Sequence, residues 1–215
     1  TETSGLAGGT GTFVFLIGLG YLTELGFHMV QLFMREPGQE AALLAGLSQY
    51  LAPFKTIVTF NGKSFDVPML NTRHVLNGFT TPFTDLSHID LLPLARRLWR
   101  NRLPSRALKD LEVDILGMAR TEEEVPGWMI PELYYEYLRS GDARPLGGVF
   151  YHNAQDVVSL GKLLDHVAGL LTNPLRVASD QGLDLIAVAR LYEEMKHLDR
   201  AVELYEYSLT SGLPL

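Results

Sequence analysis

The sequence predicts an α/β domain with a mixed sheet, followed by a separate C-terminal pair of helices. Two apolar, strand-like segments come first, at Thr12–Tyr21 and Phe27–Met34. Short strands then alternate with helical segments from Thr56 onward, which is the pattern that packs helices onto a sheet. The Asn173-Pro174 step interrupts this pattern and is the predicted domain boundary.

The first elements are predicted from apolar continuity and turn residues. Thr12–Tyr21 is rich in β-branched and aromatic residues, so we expect a buried strand. The short link Leu22–Gly26 predicts an antiparallel hairpin with Phe27–Met34. Pro37 suits the first turn of a helix, which apolar residues at helical spacing extend to Leu51.

The central segments follow the strand–helix alternation. They are strands over Thr56–Phe60 and His88–Leu91, and helices over Val67–Leu76, Pro93–Trp99, Ala107–Leu116, Pro131–Leu138 and Leu146–Leu171. Ser105 is the predicted N-cap of the helix that begins at Ala107. Glu122–Gly127 is predicted to be an acidic loop.

Composition excludes several classes of protein. With 215 residues, 47% apolar and 20% charged, the chain is neither collagen-like nor wholly disordered. It has no cysteine, which excludes a thiolate zinc site and a cysteine nucleophile and is compatible with the cytoplasm, where we expect the protein. The longest apolar run, Thr12–Gly20, is far below the roughly 20 residues of a membrane helix, so no membrane partner is expected. Because residue 1 is not Met, we expect truncation or processing upstream.

Basic residues are concentrated in one stretch of an acidic chain. The net charge of −7 argues weakly against a general nucleic-acid coat protein. Six of the 18 basic residues nevertheless fall within Arg96–Lys109, together with Trp99. This stretch predicts phosphate contacts, with Arg97, Arg100 and Arg102 as substrate-binding candidates and Trp99 stacking on a base. Two solvated helix faces with Trp99 in the core are an equal alternative.

The segment Phe60–Leu70 (FNGKSFDVPML) places a carboxylate after a strand. The strand ends at Asn61, Gly62 permits a tight turn, and Asp66 opens a helix. The carboxyl ends of strands are where α/β sheets build their sites. Taken alone, Asp66 as a helix N-cap is the more common explanation.

Two further segments carry candidate groups. In Tyr151–Leu160 (YHNAQDVVSL), His152 and Asp156 are four residues apart on a predicted helix and share a face, whereas Tyr151 lies on another face. Such a pair serves as a general base, as metal ligands or as a local ion pair, and alone the ion pair is favoured. Glu2 precedes a Gly-rich turn, either near a strand end or in a frayed terminus.

Together these segments predict a metal site. Glu2, Asp66 and Asp156 are hard oxygen donors from distant parts of the chain, which suit Mg²⁺ or Mn²⁺. Two such divalent ions about 4 Å apart support phosphodiester hydrolysis. Two ions need about four carboxylates for charge compensation, and three are present. Asp90, at a strand end, is a reserve acid or a helix N-cap.

At three motifs the sequence resembles a known family. TETSGL, FNGKSFDVPML and HNAQD resemble, in order and over roughly residues 1–170, the three motifs of the DnaQ-like (DEDD) 3′–5′ exonucleases of the ribonuclease-H-like superfamily. The resemblance to YprB-like ribonuclease-H-like proteins is closer, because HIDLLPLARRLWR and a trailing tetratricopeptide-like region also fit. It implies a ribonuclease-H-like mixed five-stranded sheet flanked by helices, over residues 1–172.

A C-terminal tetratricopeptide-like helical repeat is predicted over residues 180–215. Small and aromatic residues recur there at the spacing of such a repeat, with Pro214 near its end. These residues are Ala189, Tyr192, Ala201, Tyr205 and Ser208. An ordinary amphipathic helical hairpin is the alternative.

The resemblance also implies roles for individual residues. Glu2, Asp66 and Asp156 correspond to acids of the three motifs and to metal ligands. His152 corresponds to the general base, and Asn61 would position the nucleic-acid strand or the turn.

Two departures from the family pattern stand out. The leading Asp of the first motif would fall just before Thr1 and is absent from this chain. The family places its His five residues before the Asp and its Tyr four before, whereas His152 is four before Asp156.

We therefore expect a two-metal 3′–5′ exonuclease that hydrolyses phosphodiester bonds at a 3′ end of DNA or RNA, with His152 activating water. The alternative is a catalytically silent nucleic-acid-binding or protein-interaction module whose C-terminal repeat recruits a protein partner. An Asp encoded before Thr1 favours catalysis, and Asn, Ala or Gly there favours the alternative.

Overall fold

The computed structural model describes residues 1–5, 11–118, 125–178 and 181–213. Contacts group the chain into two compact units, one of residues 1–90 with 120–160 and one of residues 91–119 with 161–215. The division into a domain over 1–172 and a repeat over 180–215 stays a prediction. Residues 122–124 of the predicted acidic loop and Pro214 lie outside the described residues.

The first unit contains an antiparallel sheet of strands β1 (Glu2–Thr3), β2 (Val14–Thr23) and β3 (Gly26–Phe33), in that order. The predicted hairpin is confirmed, because β2 pairs with β3 from Leu16 opposite Phe33 to Thr23 opposite Gly26. Only the first four residues of β2 are buried. The apolar run predicted a strand buried along its whole length, but the second half of β2 lies outside the core.

A second, parallel sheet consists of β4 (Thr56–Thr59) and β5 (Ser87–Asp90). The expectation of one five-stranded sheet is wrong for the described residues, whose five strands form sheets of three and two. The physical reason is the extent of pairing. β1 contributes only Glu2 and Thr3, both paired to β2, and among the described strands β4 pairs with β5 alone.

Helices pack around these sheets and form the core of the first unit. They are α1 (Glu40–Leu51), α2 (Asp66–Leu76), α5 (Ile130–Ser140) and residues 147–160 of α6 (Gly147–Thr172). The predicted helices are confirmed, with ends shifted by a few residues. The core centres on Tyr134, whose ring stacks on Phe15 at 3.9 Å and whose hydroxyl donates to the Met34 carbonyl at 2.9 Å. Burial raises the pKa of Tyr134 to about 12.

The second unit is helical in its described residues. It comprises α3 (Leu91–Trp99), α4 (Leu108–Asp114), the remainder of α6, α7 (Pro174–Val177), α8 (Gly182–Glu194) and α9 (Leu198–Thr210). The prediction of Ser105 as an N-cap is wrong, because Ala107 caps α4 and its amide donates to Ser105 Oγ at 3.2 Å. No helix within the described ranges is both long and apolar enough to cross a membrane.

The predicted C-terminal helical hairpin is confirmed by α8 and α9, which pack against each other. Ala189 and Tyr192 of α8 and Ala201 and Ser208 of α9 are buried. Three of these four residues are small, and the fourth, Tyr192, donates its hydroxyl to the Leu171 carbonyl at 2.5 Å. The tetratricopeptide-like character of this hairpin stays a prediction.

Candidate metal and nucleic-acid site

The loop between β4 and α2 has a fixed backbone. Asn61 adopts a left-handed conformation with φ 65°, which Asn tolerates better than most residues. A Cβ on Gly62 would lie 2.5 Å from the Cβ of Thr59, so only glycine fits there. The amides of Asn61 and Lys63 donate to the two carboxylate oxygens of Asp90, at 2.7 and 3.0 Å. Asp90 therefore holds the loop that leads to Asp66.

His88 adjoins the same loop from β5. Its Nε2 lies 2.7 Å from Thr59 Oγ1. Burial lowers the pKa of His88, and the charge of Lys63 lowers it further, against the opposing attraction of Asp90 and Asp66. Lys63 in the loop and the carboxylates of Asp90 and Asp66 thus surround a histidine whose neutral form is favoured.

Asp66 is the first residue of α2. Phe65 occupies the N-cap position and no side chain caps the helix, so the alternative of Asp66 as an N-cap is wrong. Its carboxylate instead accepts a hydrogen bond from the Thr1 hydroxyl. The Thr1 amino nitrogen lies 3.6 Å from the same carboxylate oxygen. Asp66 therefore faces the start of β1.

Glu2 is fixed in the sheet and is not a frayed terminus. It pairs with Leu16 across β1 and β2, and only 9% of its surface is exposed. Its Oε1 accepts a hydrogen bond from Asn153 Nδ2 at 3.0 Å. Glu2 is therefore linked to α6, the helix that carries His152 and Asp156.

The two candidate groups on α6 share a face, as their spacing predicts. His152 Nε2 lies 3.7 Å from Asp156 Oδ2, which is an ion-pair distance rather than a hydrogen bond. The His152 side chain is 15% exposed and that of Asp156 is 38% exposed. The Tyr151 hydroxyl accepts a hydrogen bond from Gln155 Nε2 at 3.0 Å.

Two glycines of β2 let α6 approach the sheet. A Cβ on Gly18 would press on Asn153 Oδ1 and lie 2.7 Å from Val157 Cγ2. A Cβ on Gly20 would lie 2.8 Å from Val157 Cγ1. Because both positions lack a side chain, the helix seats closely enough for Asn153 to reach Glu2.

The chemistry of this donor set fits a divalent cation. Glu2, Asp66 and Asp156 offer carboxylate oxygens, and hard oxygen donors are the ligands that Mg²⁺ and Mn²⁺ prefer. Across residues 1–5, 11–118, 125–178 and 181–213, however, no three His, Cys, Asp or Glu side chains are gathered closely enough to form a complete coordination group. The expected two-ion site therefore stays a prediction.

The basic stretch belongs to the second unit, and its residues differ in their partners. Trp99 is fully buried, and its Nε1 donates to Asp184 at 3.3 Å, so the prediction that it stacks on a base is wrong. Arg97 pairs with Glu194, and Arg102 pairs with the buried Asp184. Arg96, Arg100 and Lys109 are exposed.

Sequence reasoning missed Asn153, Gln31 and the role of Asp90 in the loop. A signal for Asn153 was present, because it lies three residues before Asp156 and so faces the same side of a helix. Gly18 and Gly20 inside an apolar strand were a second signal, since strand glycines often mark a close approach of another element. Gln31 carried no comparable pattern.

The described residues form an α/β protein in which Glu2 lies in β1, Asp66 contacts the start of this strand, and the helix that carries Asp156 is linked to Glu2. A family profile described as the RNase_H superfamily matches residues 1–168, and the chain belongs to that superfamily. Members of this superfamily are usually nucleases. The chain is also similar to Uncharacterized protein YprB of Bacillus subtilis (strain 168), with 33% identity over 207 residues that cover 96% of this chain. It spans 49% of that relative's length.

Proposed function

We propose that the chain is a divalent-metal-dependent 3′–5′ exonuclease of the DnaQ-like kind, acting on the phosphodiester bonds of DNA or RNA. The observation that carries this proposal is that the elements bearing the predicted acids meet at β1: Glu2 lies in this strand, Asp66 accepts a hydrogen bond from the Thr1 hydroxyl, and Asn153 links Glu2 to the helix of Asp156. These acids come from three separate motifs in a chain of the ribonuclease H superfamily.

Glu2, Asp66 and Asp156 would hold two Mg²⁺ or Mn²⁺ ions. When bound, such ions polarise the phosphodiester and lower the pKa of coordinated water. Burial of Glu2 places its charge in a region of low dielectric, where its attraction for a cation is stronger than in water. The hydrogen bond from Asn153 orients this carboxylate while adding no positive charge.

His152 would act as the general base. It would take the proton of the attacking water on Nε2, the nitrogen 3.7 Å from Asp156. The Asp156 carboxylate would then stabilise the imidazolium that forms.

Substrate contacts are proposed for Asn61, Arg97, Arg100 and Arg102. Asn61 stands in the loop held by Asp90, where its fixed backbone suits it to position a strand. Arg100 is exposed, and Arg97 forms an exposed ion pair that is readily exchanged for a phosphate. Arg102 would have to leave Asp184. We further propose a cytoplasmic location and a protein partner for α8 and α9 as a tetratricopeptide-like repeat.

End-labelled DNA and RNA incubated with the full chain test this function. We expect stepwise shortening from the 3′ end that needs Mg²⁺ or Mn²⁺ and stops with chelator. Asp156→Asn keeps the side-chain volume and removes the charge, and it should lose both metal binding and hydrolysis. Asp165→Asn, on the same helix but in the second unit, is the matched control and should retain both.

Strand binding without metal-dependent cleavage would support the catalytically silent module instead. Shortening from the 5′ end, or cleavage within the strand, would keep a nuclease and reject the 3′–5′ direction.

A further inference from the structure

A directed chain of hydrogen bonds runs from β3 to Glu2. Gln31 Nε2 donates to the Phe150 carbonyl at 2.9 Å and to Asn153 Oδ1 at 3.0 Å. Asn153 Nδ2 in turn donates to Glu2 Oε1 at 3.0 Å. Asn153 is 2% exposed and Glu2 is 9% exposed, so the last bond lies away from water. Removing one partner of such a bond is costly in free energy, because the other partner is left buried without a hydrogen bond.

The Phe150 carbonyl fixes the direction of this chain. A side-chain amide presents either its oxygen or its NH₂ group to a neighbour. The Phe150 oxygen only accepts, so Gln31 turns its NH₂ group toward it, and the same NH₂ group faces Asn153. Asn153 must then point its oxygen at Gln31 and its NH₂ group at Glu2.

Gly18 provides the space for this amide. A Cβ at position 18 would press on Asn153 Oδ1, so the amide occupies the volume that any side chain would need. The lack of a side chain at Gly18 in β2 therefore lets Asn153 of α6 reach Glu2.

We infer that Asn153 is a positioning residue for Glu2 and that Gln31 sets the orientation of its amide. The inference rests on the proposed function, in which Glu2 is a metal ligand. The neutral Asn153 amide fixes the Glu2 carboxylate and leaves its negative charge available to a cation. An Arg or Lys partner would neutralise that charge. Residues that orient a metal ligand in this way typically change metal affinity or activity by about 10–100-fold when lost.

The test measures Mn²⁺ binding to the full chain by electron paramagnetic resonance, together with Mn²⁺-dependent hydrolysis of an end-labelled strand. Asn153→Ala should weaken Mn²⁺ binding by about 10–100-fold. Gln31→Glu should also weaken it, because a carboxylate at position 31 draws the Asn153 NH₂ group away from Glu2. Gln31→Leu removes the donor without that attraction, and we expect an intermediate loss.

Asn77→Ala is the matched control. Asn77 Nδ2 donates to Glu40 Oε2 at 2.9 Å, which is the same kind of bond at another place in the first unit. This variant should bind Mn²⁺ and hydrolyse the strand like the wild type.

The outcomes separate the two proposals. Equal Mn²⁺ affinity in Asn153→Ala and Asn77→Ala overturns the inference, and continued hydrolysis by the wild type then leaves the proposed function standing. A wild type that neither binds Mn²⁺ nor hydrolyses overturns the proposed function and the inference with it. A loss in Asn153→Ala with unchanged affinity in Gln31→Glu overturns the orienting role of Gln31.

Discussion

Two buried carboxylates, one in each compact unit, are held in opposite ways. Glu2 in the first unit receives a hydrogen bond from the neutral amide of Asn153. Asp184 in the second unit receives the guanidinium of Arg102 and the indole N–H of Trp99. Burial raises the pKa of Asp184, although the charge of Arg102 opposes the effect.

The neutral donor leaves Glu2 suited to binding a cation, whereas the arginine donor makes Asp184 part of the packed interior of its unit. An arginine partner cancels the buried charge, and its removal from such a pair is strongly destabilising. An amide partner fixes geometry and leaves the charge available to a cation. We therefore expect changes near Glu2 to affect chemistry and changes near Asp184 to affect stability.

The largest effect is expected at His152, on the chemical side of this comparison. His152→Ala should reduce hydrolysis by about 10²–10⁴-fold, because it removes the proposed general base, while Mn²⁺ and strand binding are retained. Single-turnover hydrolysis and Mn²⁺ binding, measured on the same protein, check both expectations.

Tyr151→Phe is the companion variant. Its hydroxyl accepts from Gln155, a bond within α6, so its loss should change the rate little. If Tyr151→Phe abolished turnover while His152→Ala kept it, the assignment of the base would be wrong.

Asp184→Ala tests the packing side. It leaves the Trp99 indole N–H and the Arg102 guanidinium without this acceptor, and we expect a loss of about 3 kcal/mol in the free energy of unfolding. Urea unfolding measures it. Mn²⁺ affinity at moderate temperature should be unchanged, and a parallel loss of affinity would erase the distinction between the two carboxylates.

Local sequence patterns predicted most of the helices and strands and the shared helix face of His152 and Asp156. The hairpin, the α2 helix and the shared face of His152 and Asp156 follow from local periodicity, which is readable from neighbouring residues. The single five-stranded sheet failed because strand pairing depends on contacts between distant segments. The roles of Asn153 and Gln31 depend on the same kind of contact, since Gln31 reaches across 122 residues to its partner.

A third carboxylate, Glu40, makes a contribution to stability that depends on pH. It is 12% exposed and accepts hydrogen bonds from Arg73 and Asn77. Burial acts to raise the pKa of Glu40, but these hydrogen bonds outweigh it and the pKa is lowered from 4.5. A lowered pKa of an acid contributes stability above its unfolded value and loses it as the pH falls through the folded value.

Glu40→Gln should therefore reduce the free energy of unfolding by about 1.5 kcal/mol at pH 7. The deficit should shrink below about pH 4.5 as the wild-type carboxylate becomes protonated. Urea titrations from pH 3 to pH 7 measure the difference. A deficit independent of pH would assign the loss to packing and not to the charge.

The smallest effect is expected for two exposed arginines, Arg97 in α3 and Arg100 directly after this helix. Arg97 and Arg100 together should contribute a change of about 1.4–1.8 in the slope of log binding constant against log salt, at roughly 0.7–0.9 per phosphate contact. The double variant Arg97→Ala/Arg100→Ala tests this without touching Arg102, whose loss would unpair Asp184. Arg139→Ala/Arg144→Ala removes the same charge from two exposed ion pairs of the first unit and is the matched control. If the slope changes equally in both double variants, the basic stretch contributes only through the net charge of the protein. If the slope changes only in Arg97→Ala/Arg100→Ala, these two arginines of the second unit contact phosphates of the strand directly.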